Sequence, residues 1–174
     1  MDYFFTEQQQ MIIDTAREIT NEKIIPVRAE LDELNQFPRE ILQDIAKADL
    51  FSIFVPEEYG GFGGGCFEIV LALEELARGC VGVATSFAAS ALGIFPVLIA
   101  GTEEQKQKYM PDIASGARWA AFGLTEANAG SDASGIRTTA VLDGEEWVLN
   151  GTKQWITNGG ESEIYTIIAL TDPS

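Results

Sequence analysis

The stretch "ASGARWAAFGL", residues 114–124, marks the position at which the hydrophobic pattern of this chain changes its period. Upstream, apolar residues recur every three to four positions, as in amphipathic helices, and downstream they alternate with polar residues, as in strands. Gly116 is a residue type that commonly ends a helix, and "RWAAFGL" then predicts a strand. We therefore expect an α+β fold, in which an all-helical N-terminal domain (residues 1–116) precedes the first part of a small antiparallel β domain (residues 117–174).

Five helices are predicted upstream of Gly116 from capping signals and helical spacing. They begin after Thr6, at Pro38, at about Phe67, after Gly79 and after Thr102. Between the second and third helices, "PEEYGGFGGG" (residues 56–65) matches neither the dinucleotide-binding nor the P-loop pattern, and no strand precedes it. We interpret this segment as a flexible connecting loop.

The fourth predicted helix lies in a run without charged residues between Gly79 and Thr102. Its length approaches that of a membrane span. The run contains glycine, serine, threonine and proline, lacks flanking aromatic belts and lies within an acidic chain, all of which disfavour a span. We expect a helix that is buried on all sides within a helical domain.

The composition excludes several classes of function. The chain has 27 acidic and 11 basic residues, a net charge of −16, which disfavours nucleic acid and anionic membrane as partners. It has no histidine, which excludes a Ser-His-Asp or Cys-His nucleophile within the chain and the usual zinc sites. Cys66 and Cys80 form no metal or redox motif, so we expect no metal, and two buried free thiols in a reducing cytoplasm.

Downstream of Gly116, the segment "TTAVLDGEEWVL" predicts a hairpin with an Asp-Gly turn, and "TKQWIT" and "EIYTIIALT" predict further strands. The last of these is apolar and would leave an open sheet edge close to Ser174, which finished domains normally avoid. We therefore expect that the fold is truncated before a further segment.

Two segments of the β region combine residues that suit a ligand. The loop "FGLTEANAGSDASG" (residues 122–135) offers backbone N–H groups and the Ser131 hydroxyl to an acceptor-rich ligand. The segment "KQWITNGG" (residues 153–160) offers an indole, a branched aliphatic side chain and a hydroxyl in succession, which could bind a planar heteroaromatic cofactor. The alternative is that Trp155 belongs to the core and the polar residues only form turns.

Taken together and in this order, "VPEEYGG", "FGLTEANAGSD" and "LNGTKQWITNGG" resemble the acyl-CoA dehydrogenase family of flavoproteins over essentially the whole chain. The resemblance implies a helical domain, a central β domain and a C-terminal helical domain that is missing here. It also implies FAD as the cofactor, an acyl-CoA substrate that is dehydrogenated to a trans-2-enoyl-CoA, an electron-transfer flavoprotein as the acceptor, and a cytoplasmic homo-oligomer when complete.

The resemblance assigns cofactor-binding roles at the positions that match the family motifs. These positions are Phe122, Gly123, Leu124, Thr125, Ser131, Trp155, Ile156 and Thr157. Ser131 is shared with the acyl-CoA substrate, Trp155 packs on the edge of the flavin, and Thr157 points toward its hydride-accepting nitrogen. No catalytic residue is assigned in this chain, because the family's catalytic carboxylate lies in the missing part, and Glu126 and Asp132 are interpreted as groups that structure the loop.

A second hypothesis remains open at this point. The chain could be a fragment or remnant without catalytic activity that acts as a binding or interaction module. The downstream coding sequence distinguishes the two hypotheses, because a following helical segment with a suitably placed Glu favours the enzyme.

Overall fold

The structure, a computed structural model, describes residues 4–172. It confirms the α+β class, with a helical N-terminal region followed by a small β region. The helices are α1 (Glu7–Ile19), α2 (Arg28–Leu34), α3 (Arg39–Lys47), α4 (Cys66–Gly79), α5 (Val81–Ala100) and α6 (Glu103–Ala114). The strands are β1 (Ala120–Gly123), β2 (Thr139–Asp143), β3 (Glu146–Asn150) and β4 (Ile164–Ile167). Ser174, near which an open sheet edge was expected, lies outside the described residues.

The five predicted helices are present as α1 and α3 to α6, and α2 is an additional helix that the periodicity did not indicate. The side chain of Thr6 accepts a hydrogen bond from the backbone of Gln9, which confirms the capping box of α1, and Thr102 does the same with Gln105 at α6. In α2, "RAELDEL" is short and has no buried residue. A helix that buries no apolar face leaves no hydrophobic period to detect.

The core of the helical region is built around aromatic rings. Phe51 and Phe54 lie on a short 3₁₀ turn (Leu50–Phe54), and both contact Phe87 of α5, with ring centroids 5.1 and 4.9 Å apart. All three rings are buried, so each contributes a large apolar area to the core. The loop of residues 56–65 also packs against this region, because Tyr59 is buried and its hydroxyl donates a hydrogen bond to Glu103 of α6.

Helix α5 is apolar and long enough to cross a membrane by length and composition, and half of it is buried inside the fold. The expectation that α5 is buried on all sides is wrong for this structure. One face packs on α4, α6 and β1, while Leu92 and Ile99 are exposed. The exposed face of α5 therefore remains available to a ligand or to another polypeptide segment.

The predicted hairpin is confirmed, with a shift of its turn by one residue. Asp143 of β2 pairs with Glu146 of β3, so the two turn residues are Gly144 and Glu145. Gly144 adopts φ = +64°, a left-handed conformation that glycine reaches without a steric penalty.

The two remaining strands correct the prediction of a wholly antiparallel region, because β1 and β4 pair in parallel. Ala120 lies opposite Ile164, and Gly123 lies opposite Ile167. Parallel neighbours need a connection of about a dozen residues or more, and residues 124–163 provide it. No tight turn joins β1 to β4, so the local sequence does not determine their relative direction.

The β region rests directly on α5 at Gly93. A Cβ atom at this position would lie 2.8 Å from Cβ of Ala120 and 2.9 Å from the backbone N and O of Ala121, closer than packed atoms approach. The hydroxyl of Thr166 in β4 donates a hydrogen bond to the carbonyl of Gly93 at 2.6 Å. The absence of a side chain at Gly93 thus allows both parallel strands to lie against the helix.

The two cysteines are free, as expected, but they are not both buried. Cys66, the first residue of α4, is exposed, and Cys80 is half-buried. Cys66 lies in the first turn of α4, next to the exposed Phe67, where the helix does not face the core.

Candidate functional site

A cavity of about 300 Å³ lies between α5 and the two segments that the sequence analysis singled out. Helix α5 lines it with uncharged side chains: Thr85, Ala88, Ala89 and Leu92. The opposite wall comes from the end of β1 and the loop after it (Phe122, Leu124 and Thr125) and from Gln154, Trp155 and Thr157. The cavity therefore has one largely apolar wall and one wall that carries hydrogen-bonding groups.

Five of the eight predicted cofactor-binding residues line this cavity: Phe122, Leu124, Thr125, Trp155 and Thr157. The other three do not. Gly123 is buried, and a Cβ atom there would contact Ile167 and Ile156 at 2.7 and 3.5 Å. Ile156 lines a different cavity, beside α2, and Ser131 is exposed in the loop after β1.

Larger cavities exist elsewhere among the described residues, and they contain few of the predicted groups. One of about 400 Å³ lies between α2 and α3 and contains none of them. The one beside α2, of about 490 Å³, contains Ile156 and is flanked by the carboxylates of Asp32 and Glu161. The smaller cavity at α5 is therefore the candidate site, because the predicted residues converge there.

Trp155 is the most exposed large aromatic residue of the site, with 87% of its surface accessible. Within residues 4–172, Trp155 therefore does not belong to the core. Its backbone adopts φ = +57°, a left-handed conformation that is unfavourable for a bulky side chain. Residues 152–157 form no strand, so the strand predicted from "TKQWIT" is wrong, and the left-handed Trp155 interrupts the extended backbone that a strand requires.

Thr125 and Thr157 supply hydrogen-bond donors that have no partner within residues 4–172. Neither side-chain hydroxyl forms a hydrogen bond, and the backbone N–H groups of both residues are also free of intramolecular partners. Both residues line the same cavity. The arrangement can therefore donate several hydrogen bonds to a ligand that presents acceptors between α5 and Trp155.

Asn158 is a buried residue whose structural role the sequence analysis did not identify. Only 5% of it is exposed, and its side-chain amide donates hydrogen bonds to the carbonyl of Ser86 at 2.8 Å and to that of Ala120 at 3.4 Å. It thus ties the segment after Trp155 to both α5 and β1. The Asn before two glycines in "TNGG" was a possible sequence signal, because Asn tolerates the left-handed conformation better than most residues, and Asn158 adopts φ = +63°.

Glu126 and Lys153 form an ion pair beneath the site, with 2.8 Å between Oε1 and Nζ. The Lys153 ammonium, together with hydrogen bonds from Thr138 and Arg137, lowers the pKa of Glu126 to about 2. This confirms the interpretation of Glu126 as a group that structures the loop. Asp132 has the same kind of role, because it accepts a hydrogen bond from the hydroxyl of Ser134 within the loop.

The sequence matches two families of domains. Residues 6–117 match "Acyl-CoA dehydrogenase, N-terminal domain", and residues 121–174 match "Acyl-CoA dehydrogenase, middle domain". Two similar proteins are the short-chain specific acyl-CoA dehydrogenase of Clostridium acetobutylicum, 40% identical, and the NADH-dependent acryloyl-CoA reductase of Anaerotignum propionicum, 39% identical. Each alignment covers 99% of this chain, but only 46% and 44% of the respective relative.

Solved structures give the same result. Butyryl-CoA dehydrogenase from Megasphaera elsdenii has a TM-score of 0.93 at 37% identity, over 99% of this chain and 46% of that one. An acyl-CoA dehydrogenase complexed with FAD from Bacillus anthracis has a TM-score of 0.87 at 37% identity, over 95% and 29%. A chain from a study of the electron transferring flavoprotein of Acidaminococcus fermentans has a TM-score of 0.94 at 43% identity, over 99% and 46%.

This chain spans less than half the length of the relatives that it matches. Within that span the agreement extends over both the helical region and the β region, in sequence and in structure. The chain belongs to the acyl-CoA dehydrogenase family, of which it carries the N-terminal domain and at least part of the middle domain.

Proposed function

We propose that this chain is the flavin-binding and acyl-binding part of an FAD-dependent acyl-CoA dehydrogenase. The observation that carries the proposal is the cavity beside α5, where an exposed Trp155 converges with the donors of Thr125 and Thr157, which have no partner among residues 4–172. The reaction is the α,β-dehydrogenation of an acyl-CoA thioester to trans-2-enoyl-CoA. The carboxylate that removes the α proton is not assigned to any residue of this chain.

The residues around the cavity fit an isoalloxazine ring. Such a ring is planar and apolar on its faces, and it carries hydrogen-bond acceptors at its edge, which the free N–H and hydroxyl groups of Thr125 and Thr157 can satisfy. When bound, FAD supplies the acceptor for the hydride that leaves the β carbon of the substrate. Donors that are fixed in advance stabilise the negative charge that develops on such an acceptor. Of the remaining candidates, Phe122 and Leu124 offer apolar contacts. Ser131 lies in the exposed loop outside this cavity, and its contact to flavin and substrate is proposed from the family resemblance alone.

The apolar wall of α5 fits an acyl chain. Ala88, Ala89 and Leu92 present no charge, and burial of a chain against them contributes about 0.8 kcal/mol per methylene group. Similarity to a short-chain specific acyl-CoA dehydrogenase and to a butyryl-CoA dehydrogenase supports a short acyl group as the substrate. The relatives include both a dehydrogenase and a reductase, so rates measured in both directions determine the physiological one.

The proposal also includes the electron acceptor, the oligomeric state and the cellular location of the protein. We assign an electron-transfer flavoprotein as the acceptor, supported by similarity to a chain from a study of such a protein. A homo-oligomer and a cytoplasmic location complete the proposal. The free thiols Cys66 and Cys80 are compatible with a reducing compartment.

The experiment is to purify the full-length natural protein and record its visible spectrum before and after anaerobic addition of butyryl-CoA. We expect bound FAD that is bleached by the saturated thioester, and no bleaching by free coenzyme A, which serves as the control. Protein that retains FAD but is not reduced by saturated acyl-CoA of any length would favour the non-catalytic binding module. We expect the 174-residue chain alone to bind FAD weakly or not at all, because it provides only one part of the site.

A further inference from the structure

We propose that Lys153 and Glu126 form a clasp that fixes Trp155 and Thr157 relative to Thr125, so that Lys153 is a positioning residue for the cofactor. The proposal rests on the proposed function, because the residues that it positions are those assigned to the flavin. It adds a role for two charged residues that lie outside the cavity lining.

Among the described residues, three hydrogen bonds join the loop after β1 to the segment that begins at Lys153. The ammonium of Lys153 donates to the carbonyl oxygen of Leu124 at 2.9 Å and to Oε1 of Glu126 at 2.8 Å. The backbone N–H of Gln154 donates to the carbonyl oxygen of Thr125 at 2.8 Å. Two of these three bonds belong to the Lys153 side chain, which therefore determines how the two ligand-binding segments lie against each other.

The Glu126 carboxylate, which accepts a hydrogen bond from Lys153, is itself held in place by other hydrogen bonds. The carboxylate of Glu126 accepts hydrogen bonds from the backbone N–H of Arg137 at 2.7 Å and of Thr138 at 2.9 Å. It also accepts one from the Thr138 hydroxyl at 2.6 Å. These bonds hold the carboxylate in the loop independently of Lys153, so Lys153 binds an acceptor whose position is already determined.

The ion pair is nearly excluded from solvent, with 6% of the Lys153 side chain and 11% of the Glu126 side chain exposed. Removal of two charges from water has a desolvation cost that offsets much of their attraction, so a buried pair adds little net stability. It does impose a specific geometry, because an unpaired charge at this depth is strongly unfavourable. Position, more than stability, is therefore what this pair contributes.

Trp155 depends on such an external restraint. Its left-handed backbone is unfavourable by about 1–2 kcal/mol for a residue with a Cβ atom, and its side chain is so exposed that packing offsets little of this cost. The restraints lie on both sides of it in the chain. Lys153 and Gln154 hold the preceding backbone, and Asn158 holds the following backbone.

The test is the dissociation constant for FAD of the full-length protein, measured by titration of the FAD-free form. We expect Lys153→Met and Glu126→Gln each to raise the Kd on the order of tenfold, which is typical of the loss of one charged hydrogen bond. If the two residues act as one unit, the double variant should show about the same tenfold change and not about a hundredfold one. Lys47→Met is the matched control, because Lys47 forms an exposed ion pair with Asp44 at 2.8 Å on α3, and its Kd should equal that of the wild type.

Urea unfolding of each variant identifies conditions in which every variant is fully folded. A Kd measured under those conditions reports positioning of the site and not general destabilisation. If Lys153→Met is not recovered folded, Glu126→Gln alone provides the test. An unchanged Kd in a folded Lys153→Met or Glu126→Gln protein, or multiplied effects in the double variant, would overturn the clasp while leaving the proposed function intact. A wild-type protein that binds no FAD would instead overturn the proposed function.

Discussion

The side-chain amide of Asn158 donates a hydrogen bond to the backbone carbonyl oxygen of Ser86 at 2.8 Å, which links the segment after Trp155 to the first half of α5. Both residues are buried, and Asn158 also reaches the carbonyl oxygen of Ala120 in β1. One side chain thus connects the helical region, the β region and the segment that carries Trp155 and Thr157. The site therefore depends on contacts between parts of the chain that are distant in sequence.

Asn158→Gly and Asn158→Ala separate the hydrogen bond from the backbone conformation. The glycine variant keeps the left-handed backbone and loses the amide, so we expect its free energy of unfolding to fall by about 1–2 kcal/mol. The alanine variant should lose about 1 kcal/mol more, because alanine is unfavourable at φ = +63°. Urea unfolding of both variants checks this. Equal stabilities of the two variants would mean that the left-handed conformation is not maintained in solution.

Gly93→Ala should destabilise the protein, because the added methyl group would enter the space occupied by Ala120 and Ala121. Overpacking of this kind typically costs about 1–3 kcal/mol, more than the helix gains from alanine. Gly82→Ala in the same helix is the control, since its methyl group would have only the Cys80 sulfur within 4 Å, at 3.7 Å. Thermal unfolding should show a lower melting temperature for Gly93→Ala alone. Equal melting temperatures would contradict the close packing of β1 on α5.

The raised pKa of Tyr59 predicts that the protein loses stability at high pH. Burial, together with the hydrogen bond to Glu103, raises the pKa of Tyr59 from 10.0 to about 12. Because the folded state holds this proton more tightly, the contribution of Tyr59 to stability is fully present below pH 10.0 and is lost as the pH rises through about 12. Unfolding measured across this range should show a steeper decline for the wild type than for Tyr59→Phe, which has no proton to lose. The same pH dependence of the unfolding free energy in both proteins would contradict a raised pKa of Tyr59.

Thr157→Val tests the assignment of the unpartnered hydroxyl to the cofactor. Loss of one preorganised donor to the charge that develops in the transition state typically costs about 2.7–4 kcal/mol in the barrier, so flavin reduction by butyryl-CoA should slow on the order of a hundredfold. Thr152→Val is the control, because Thr152 is an exposed threonine of the same segment that lies outside the cavity. Stopped-flow absorbance of the full-length protein provides the measurement. Equal rates for Thr157→Val and wild type would remove Thr157 from the reactive edge of the flavin.

The sequence by itself determined the elements that depend on neighbouring residues. The capping boxes at Thr6 and Thr102 set the beginnings of α1 and α6, because a cap and its partner are only three residues apart. The alternation around Gly144 likewise determined the β2–β3 hairpin, although not the residue at which it turns. The two motif segments also indicated the candidate site, and five of their eight predicted residues line one cavity.

The tertiary structure decided what depends on residues far apart in the chain. The parallel pairing joins β1 to β4 across residues 124–163, with no tight turn between them, and both strands contact α5 at Gly93. The exposure of Trp155 and the ion pair between Lys153 and Glu126 have no local signal, because a tryptophan or a lysine in a polar segment is compatible with burial, exposure or pairing. Hydrophobic period and capping report short-range free energies, whereas register, burial and ion pairing are determined only when the whole chain is packed.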